Sequence, residues 1–237
     1  METLNNQQQI KQENGYMNQR RQILHDGSPF AMKEAYRTLR TNIRFALRGD
    51  GCKKFCITSS SQGEGKSITI LNLAITFAET GHKVLLIDAD MRRPALNRLL
   101  VEKVSPGLSN LLAGMTNDES EILRKEIRPN LDMIFAGDIP PNPAELLDSD
   151  RMKELLKKLE NRYDFILIDT PPVNVVSDAC VVAPLLDGVL LLARQGRSRK
   201  ESLKRAVNNL NLAGVKLLGG IFNGAPHEIK TIYSYYD

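Results

Sequence analysis

The 237-residue chain has no tryptophan and only three cysteines, Cys52, Cys56 and Cys180. An odd count without framework spacing argues against a disulfide scaffold and fits a reducing compartment. Cys52 and Cys56 have the spacing of half a metal site. No second Cys or His pair lies near them, so packing at the start of a strand is the simpler reading. No apolar run approaches the ~18–20 residues that span a bilayer. The longest, around Val181–Ala193, is broken by Pro184, Asp187 and Gly188. No signal-peptide core stands at the amino end, where residues 1–18 are rich in Gln and Asn and are expected to be disordered. These absences predict a cytoplasmic protein unless a partner holds it at a membrane. A large excess of charge is lacking too. A net charge of +4 is too mild to argue for nucleic acid, and none is expected as a partner.

What is present is ordinary for a folded domain: 42% apolar and 25% charged residues. The length suffices for one large α/β unit with a buried core. Residues 1–28 read as a flexible leader, 29–223 as the folded domain and 224–237 as a mobile tail. A helix is expected over about 33–47. Beyond Gly51, short apolar runs alternate with helical stretches. The runs are Lys54–Thr58, Val84–Asp88, Leu131–Phe135, Phe165–Asp169, Gly188–Ala193 and Leu217–Phe222. Helices are expected near Ser67–Thr80, Ala95–Leu100, Arg151–Asn161 and Lys200–Ala213. Apolar, β-branched runs unmixed with polar residues predict strands buried on both faces. The expected fold is therefore α/β: a doubly wound, mainly parallel sheet flanked by helices. Ligands in such sheets bind beyond the carboxyl ends of the strands.

Ser59-Ser60-Ser61-Gln62-Gly63-Glu64-Gly65-Lys66-Ser67 sits at such an end and opens a helix. Gly63 and Gly65 let the backbone curl so that successive N–H groups and the positive helix end face a phosphate. The segment Ser61 to Ile68 is the expected ATP contact. Lys66 would reach the β- and γ-phosphates, and the Ser67 hydroxyl would ligate Mg²⁺. The match to G-x-x-x-x-G-K-[ST] departs at its first glycine, where Ser60 stands.

Two further strands end in acid: Leu85-Leu86-Ile87-Asp88-Ala89-Asp90-Met91-Arg92-Arg93-Pro94, and Phe165-Ile166-Leu167-Ile168-Asp169-Thr170-Pro171-Pro172. A carboxylate at the end of a buried strand is costly unless it serves a cation or a proton. Helix capping or a turn is the bland alternative, most apt before Pro94. Asp88 and Asp90 would share one face of an extended segment. One could hold Mg²⁺ or its water while the other accepts a hydroxyl proton. Arg92 and Arg93 could balance this charge, pair with another subunit or face solvent. Arg197, Ser198, Arg199, Lys200, Lys204 and Arg205 form a basic cluster best read as a solvated helix start.

With these three motifs the sequence resembles the bacterial tyrosine kinases of capsule and exopolysaccharide systems, within the wider MinD/ParA-like P-loop ATPases. The resemblance covers about residues 30–237, and Asp88-x-Asp90-x-Arg92 is its most discriminating element. The septum-site and partition ATPases usually carry a lysine where Ser61 stands. Glu34-Ala35-Tyr36-Arg37-Thr38-Leu39-Arg40 fits the family pattern Glu-x-x-Arg-x-x-Arg. Spacing of three places Glu34, Arg37 and Arg40 on one helical stripe, able to pair with a neighbouring subunit. Tyr233, Tyr235 and Tyr236 cluster at the carboxyl end and suit a phosphoacceptor role, though longer tyrosine runs are common in the family.

The resemblance implies a Mg·ATP-dependent protein-tyrosine kinase that autophosphorylates these tail tyrosines between subunits of a homo-oligomeric ring of eight. The charge so added would loosen the ring. Lys66, Asp88, Asp90 and Asp169 would be catalytic. Ser67, Asp90 and Asp169 would organise Mg²⁺, and Asp88 would take the tyrosyl proton. Asn223 would hydrogen-bond the adenine, although Gly-x-x-Asn-Gly also reads as a turn. The implied partners are the cytoplasmic segment of a transmembrane activator, which would hold the chain at the inner face of the membrane, a cognate tyrosine phosphatase and protein substrates. The implied role is control of polysaccharide synthesis and export. Two rivals share the fold: a partitioning-type ATPase switch, and a non-catalytic nucleotide-dependent adaptor of a membrane polysaccharide complex.

Overall fold

A computed structural model describes residues 17–225. Its elements run α1 (Phe30–Ala46), β1 (Lys53–Ser59), α2 (Lys66–Ala78), β2 (Val84–Asp88), α3 (Leu96–Leu100), α4 (Leu108–Leu112), α5 (Glu119–Ile122), β3 (Leu123–Arg128) and β4 (Leu131–Ile134). They continue with α6 (Pro143–Asp148), α7 (Asp150–Leu159), β5 (Phe165–Asp169), α8 (Asp178–Val182), β6 (Gly188–Arg194), α9 (Lys200–Leu212) and β7 (Leu217–Asn223). The strands form one seven-stranded sheet in the order β3-β4-β2-β5-β1-β6-β7. Every neighbouring pair is parallel except β3 with β4. The fold is thus the expected doubly wound α/β architecture.

The unmixed apolar runs follow from this burial. Successive strand residues point to opposite faces, and both faces are covered. Phe55, Ile57, Val84, Leu86, Phe165 and Leu167 pack on one side with α1 and α2. Cys56, Leu85, Ile87, Ile166 and Ile168 pack on the other with residues of α4, α6, α7, α8 and α9. Cys56 is therefore a core residue, and Cys52, Cys56 and Cys180 are free thiols. Helix α7 shows how sequence sets orientation. Met152, Leu155, Leu156 and Leu159 recur at helical spacing and are the buried positions, while the Ser149 hydroxyl caps the first turn by accepting from the Met152 N–H. Helix α2 differs: it is buried at every position but Ser67, as an apolar helix at the centre of a fold must be.

Strand β3 was not expected. Its Leu-Arg-Lys-Glu-Ile-Arg sequence lies at the sheet edge with Lys125 and Glu126 exposed, and its register with β4 shifts between Arg124 and Arg128. Charge and irregularity on an edge strand discourage pairing with another chain, and they also hide the strand from a hydrophobic-pattern reading. Part of the segment expected as a leader packs down. Ile23 and Leu24 are buried. The Leu24 N–H donates to Asn72 Oδ1 (2.8 Å), and Asn72 Nδ2 donates to the Gln22 carbonyl (2.8 Å) and the Tyr36 hydroxyl (3.1 Å). A buried side-chain amide in α2 thus ties residues 22–24 and α1 to the core. Among the described residues no helix is long and apolar enough to cross a membrane.

Candidate active site

Three adjacent strands, β2, β5 and β1, end side by side, and each delivers one motif. Register makes this tight: Asp88 lies opposite Asp169, and Asp169 is one strand away from Ile57 of β1. The loops beyond are stitched together. The Ala89 N–H donates to the Asp169 carbonyl (2.9 Å), the Thr170 hydroxyl to the Ile57 carbonyl (2.9 Å), and the Thr58 hydroxyl to the Pro171 carbonyl (2.8 Å).

The loop after β1 curls as the glycines require. Gly63 and Gly65 have φ of 72° and 101°, a region open to glycine at little cost. Gly65 caps α2, and a Cβ there would stand 2.4 Å from Asn223 Nδ2. The helix N-terminus therefore opens beneath a backbone cradle with no room for a side chain, a fit for phosphate. Lys66 is buried at this point. Gln62 at the loop tip accepts from Arg93 Nη1 (3.1 Å), and Ile68 packs in the core. Asn223 Nδ2 donates to the Glu64 carbonyl (3.0 Å). A hollow of about 760 Å³ opens beside it, lined by Tyr36, Leu39, Ile68, Ile221 and Phe222 among others.

The three acids differ in surroundings. Asp169 is buried, and burial raises its pKa to about 7 against the opposing pull of Lys66 and Ser67. Although Lys66 and the Ser67 hydroxyl stand nearby, neither carboxylate oxygen makes a well-aligned hydrogen bond among the described residues. A buried carboxylate left in that state is unusual and fits a cation or its water shell. Asp88 is also fully buried. Its Oδ1 accepts from the Asp90 N–H (3.1 Å) and its Oδ2 from the Leu96 N–H (3.4 Å). Burial, then the charges of Asp169 and Asp90, push its pKa well above the usual carboxylate range. Asp90 is only partly buried and accepts from the Arg93 N–H (3.0 Å). Burial raises its pKa, with that N–H and Lys66 pulling the other way.

One functional contact was missed by motif reading. Arg92 is exposed but not free: its Nε and Nη2 donate to Asp178 Oδ2 (3.0 Å) and Oδ1 (3.1 Å). The Asp178 side chain is fully buried while that of Arg92 is 38% exposed. This bidentate pair fastens the loop carrying Asp88 and Asp90 to α8, which follows the Asp169 motif. Asp178 opens a short helix nine residues after Asp169, and nothing in that spacing announces a partner for Arg92. Arg92→Ala would leave a buried carboxylate without its donors, a loss of about 1–3 kcal/mol expected by urea unfolding, since water reaches the exposed side of the pair. Asp178→Asn, which removes the charge itself, should cost less.

The helical stripe behaves differently. Glu34 and Arg37 pair with each other within α1 (2.6 Å), and Arg40 Nη1 donates to the Thr76 carbonyl of α2 (2.6 Å). Exposed pairs such as the first contribute little to stability, so exchanging partners would cost little. Of the basic cluster, Ser198 and Arg197 border the phosphate loop, while Arg199, Lys200, Lys204 and Arg205 are exposed, as expected of a solvated helix start. Tyr233, Tyr235 and Tyr236 lie outside the described residues.

Comparison with known proteins gives this geometry its context. A family model described as an AAA domain matches residues 52–189. The chain is 37% identical over 213 residues to the putative tyrosine-protein kinase CapB of Staphylococcus aureus, covering 90% of this chain and 93% of CapB. It is 41% identical over 203 residues to the tyrosine-protein kinase YwqD of Bacillus subtilis, covering 86% and 85%. Among solved structures, the kinase domain of Escherichia coli tyrosine kinase ETK superposes with a TM-score of 0.79 at 37% identity, covering 86% of this chain and 80% of that one. The chimerical protein CapA2B2 gives 0.78 at 35% identity, covering 84% and 87%. The septum-site protein MinD of Pyrococcus horikoshii, solved with Mg-ADP, gives 0.62 at 26% identity over 74% and 72%.

Proposed function

We propose that this chain, which belongs to the bacterial tyrosine-protein kinase family, transfers the γ-phosphoryl group of ATP to protein tyrosines. The observation that carries the reading is the in-register pair Asp88 and Asp169 at the mouth of a phosphate loop. Two buried acids with raised pKa values exceed what holding a nucleotide needs and suit proton transfer as well as cation binding.

Backbone N–H groups of residues 62–67 and the N-terminus of α2 would hold the phosphates, the Ser61 N–H being turned to Glu64 instead, and Lys66 would neutralise charge developing on the transferred group. Ser67, Asp90 and Asp169 would hold Mg²⁺, directly or through water, and the ion would neutralise the β- and γ-oxygens when bound. Asp88 is the proton acceptor in this reading. Each of its oxygens spends one lone pair on a backbone N–H, which leaves the other to receive the tyrosyl proton. The adenine would lie in the hollow beside Asn223. The family resemblance extends the proposal to phosphorylation of Tyr233, Tyr235 and Tyr236 between subunits of a ring that Glu34, Arg37 and Arg40 help to close. It also supplies the membrane-held activator, the phosphatase and control of capsular or extracellular polysaccharide synthesis and export.

Incubation with Mg·ATP and a membrane-activator segment, followed by mass spectrometry, should show phosphotyrosine in residues 226–237. Replacing Tyr233, Tyr235 and Tyr236 together by Phe should remove most of it. ATP turnover without any phosphotyrosine would favour the partition-type ATPase instead, and nucleotide binding with neither would favour an adaptor.

A further inference from the structure

Glu64 carries a carboxylate that none of the roles above explains. An acid within a phosphate-binding loop opposes the charge that the loop exists to attract. The side chain is fully buried and folds back beneath its own loop. Oε2 accepts from the backbone N–H groups of Ser60 (3.1 Å) and Ser61 (3.3 Å), and Oε1 accepts from the Ser60 hydroxyl (2.9 Å). The departure at Ser60 is thereby explained, because a glycine could not supply that hydroxyl. A further bond comes from far along the chain: the Ser198 hydroxyl donates to Glu64 Oε1 (2.6 Å).

Ser198 lies in the connection between β6 and α9 and is itself fixed. Its Oγ accepts from the Arg194 N–H (2.7 Å), and its own N–H donates to the Arg194 carbonyl (2.9 Å). The same connection touches the loop again. Arg194 Nη1 reaches the Gly63 carbonyl (3.4 Å), and a Cβ on Gly63 would stand 2.6 Å from Arg197 Nη2. Residues 63 and 64 are thus held from outside by the end of β6.

We propose that Glu64 and Ser198 are positioning residues, forming a clamp that holds the phosphate loop in its nucleotide-ready curl. Nucleotide affinity is then set in part from the β6–α9 connection. The physical basis is preorganisation. A loop already closed on an internal carboxylate loses less conformational freedom when phosphate arrives, and this offsets the unfavourable charge. The inference rests on the loop being a nucleotide site, but not on tyrosine transfer.

Titration of the full chain with a fluorescent ADP analogue and Mg²⁺ tests it. Ser198→Ala should weaken binding roughly tenfold, the scale of a lost hydrogen bond to a charged group. Its melting temperature without nucleotide should stay near that of the parent. Ser198→Thr should restore affinity to within about twofold, because the donor returns. Glu64→Gln combined with Ser198→Ala should bind no more weakly than Glu64→Gln alone, the non-additivity expected of one coupled unit. Should Ser198→Ala fail to fold, Ser198→Cys, a weaker donor, should show an intermediate loss. Parent-like affinity in Ser198→Ala or Ser198→Cys, or losses that multiply in the double variant, would overturn the clamp. A parent protein that takes up no nucleotide would instead overturn the nucleotide-site reading, and the clamp with it.

Discussion

Lys66→Met should reduce the rate of phosphotyrosine formation by roughly 10²–10³-fold, the range seen when one preorganised charge-stabilising group is removed from a reaction centre. Methionine is unbranched and of similar length, so it can occupy the same buried path at the head of α2 without a cavity or a clash. What is lost is the cation. Lys66 is surrounded by the backbone cradle on one side and by Asp90 and Asp169 on the other, whose pKa values it pulls down. Without it, the transferring phosphoryl group and the two acids lose a positive charge that favours their ionised forms. Asp169 should then hold its proton to higher pH and coordinate Mg²⁺ less well. Initial rates of phosphotyrosine formation at matched protein and Mg·ATP concentrations measure the effect. A melting curve of each protein separates lost chemistry from lost fold. A variant that keeps its fold and labels within tenfold of the parent would remove Lys66 from the mechanism.

The parts of this site that were legible in sequence are those in which a local pattern carries its own physics. Gly63, Gly65 and Lys66 between a strand and a helix announce a phosphate cradle, because glycine takes that curl at little cost and a helix start offers several free N–H groups. An apolar strand ending in Asp88 or Asp169 is equally plain, since a buried acid demands a reason. Long-range pairings left no such trace. Arg92 could balance Asp88 and Asp90, pair with another subunit or face solvent until the fold places Asp178 of α8 beside it, and Ser198 reads as part of a solvated basic stretch until β6 carries it to Glu64. Strand β3 was lost for the opposite reason: its edge position favours charge over the apolar pattern that reveals a strand. Residues 22–24 looked like leader because their surroundings are polar, yet a single buried amide, Asn72, gives their backbone a place to bond.

Asp169→Asn should raise stability and suppress activity at once, and the two effects share a cause. In the protein without nucleotide or Mg²⁺, the Asp169 carboxylate is buried with no well-aligned hydrogen bond among the described residues, and burial lifts its pKa to about 7 against the pull of Lys66 and Ser67. The native state therefore retains a proton that the unfolded chain releases near the ordinary carboxylate value. Between those two pKa values, from about pH 4 to pH 7, stability falls as pH rises, at up to about 1.4 kcal/mol per pH unit for this group. Below that window both states are protonated. Above it both are ionised, and the deficit stays at its full size. Asparagine has no such titration. The variant should melt higher than the parent at pH 8 by roughly 5 °C or more, with the gap narrowing towards pH 5. Mg·nucleotide should reverse the order, since only the carboxylate gains a cation, and phosphotyrosine formation should fall by roughly 100-fold or more. A variant less stable than the parent at pH 8 without ligands would show that the carboxylate is satisfied within the protein. The case for a cation at the end of β5 would then lose its physical ground. A gain in stability coupled to a loss of function would instead mark Asp169 as a charge kept in an unfavourable place for what it binds, the pattern expected where a site conflicts with the fold that carries it.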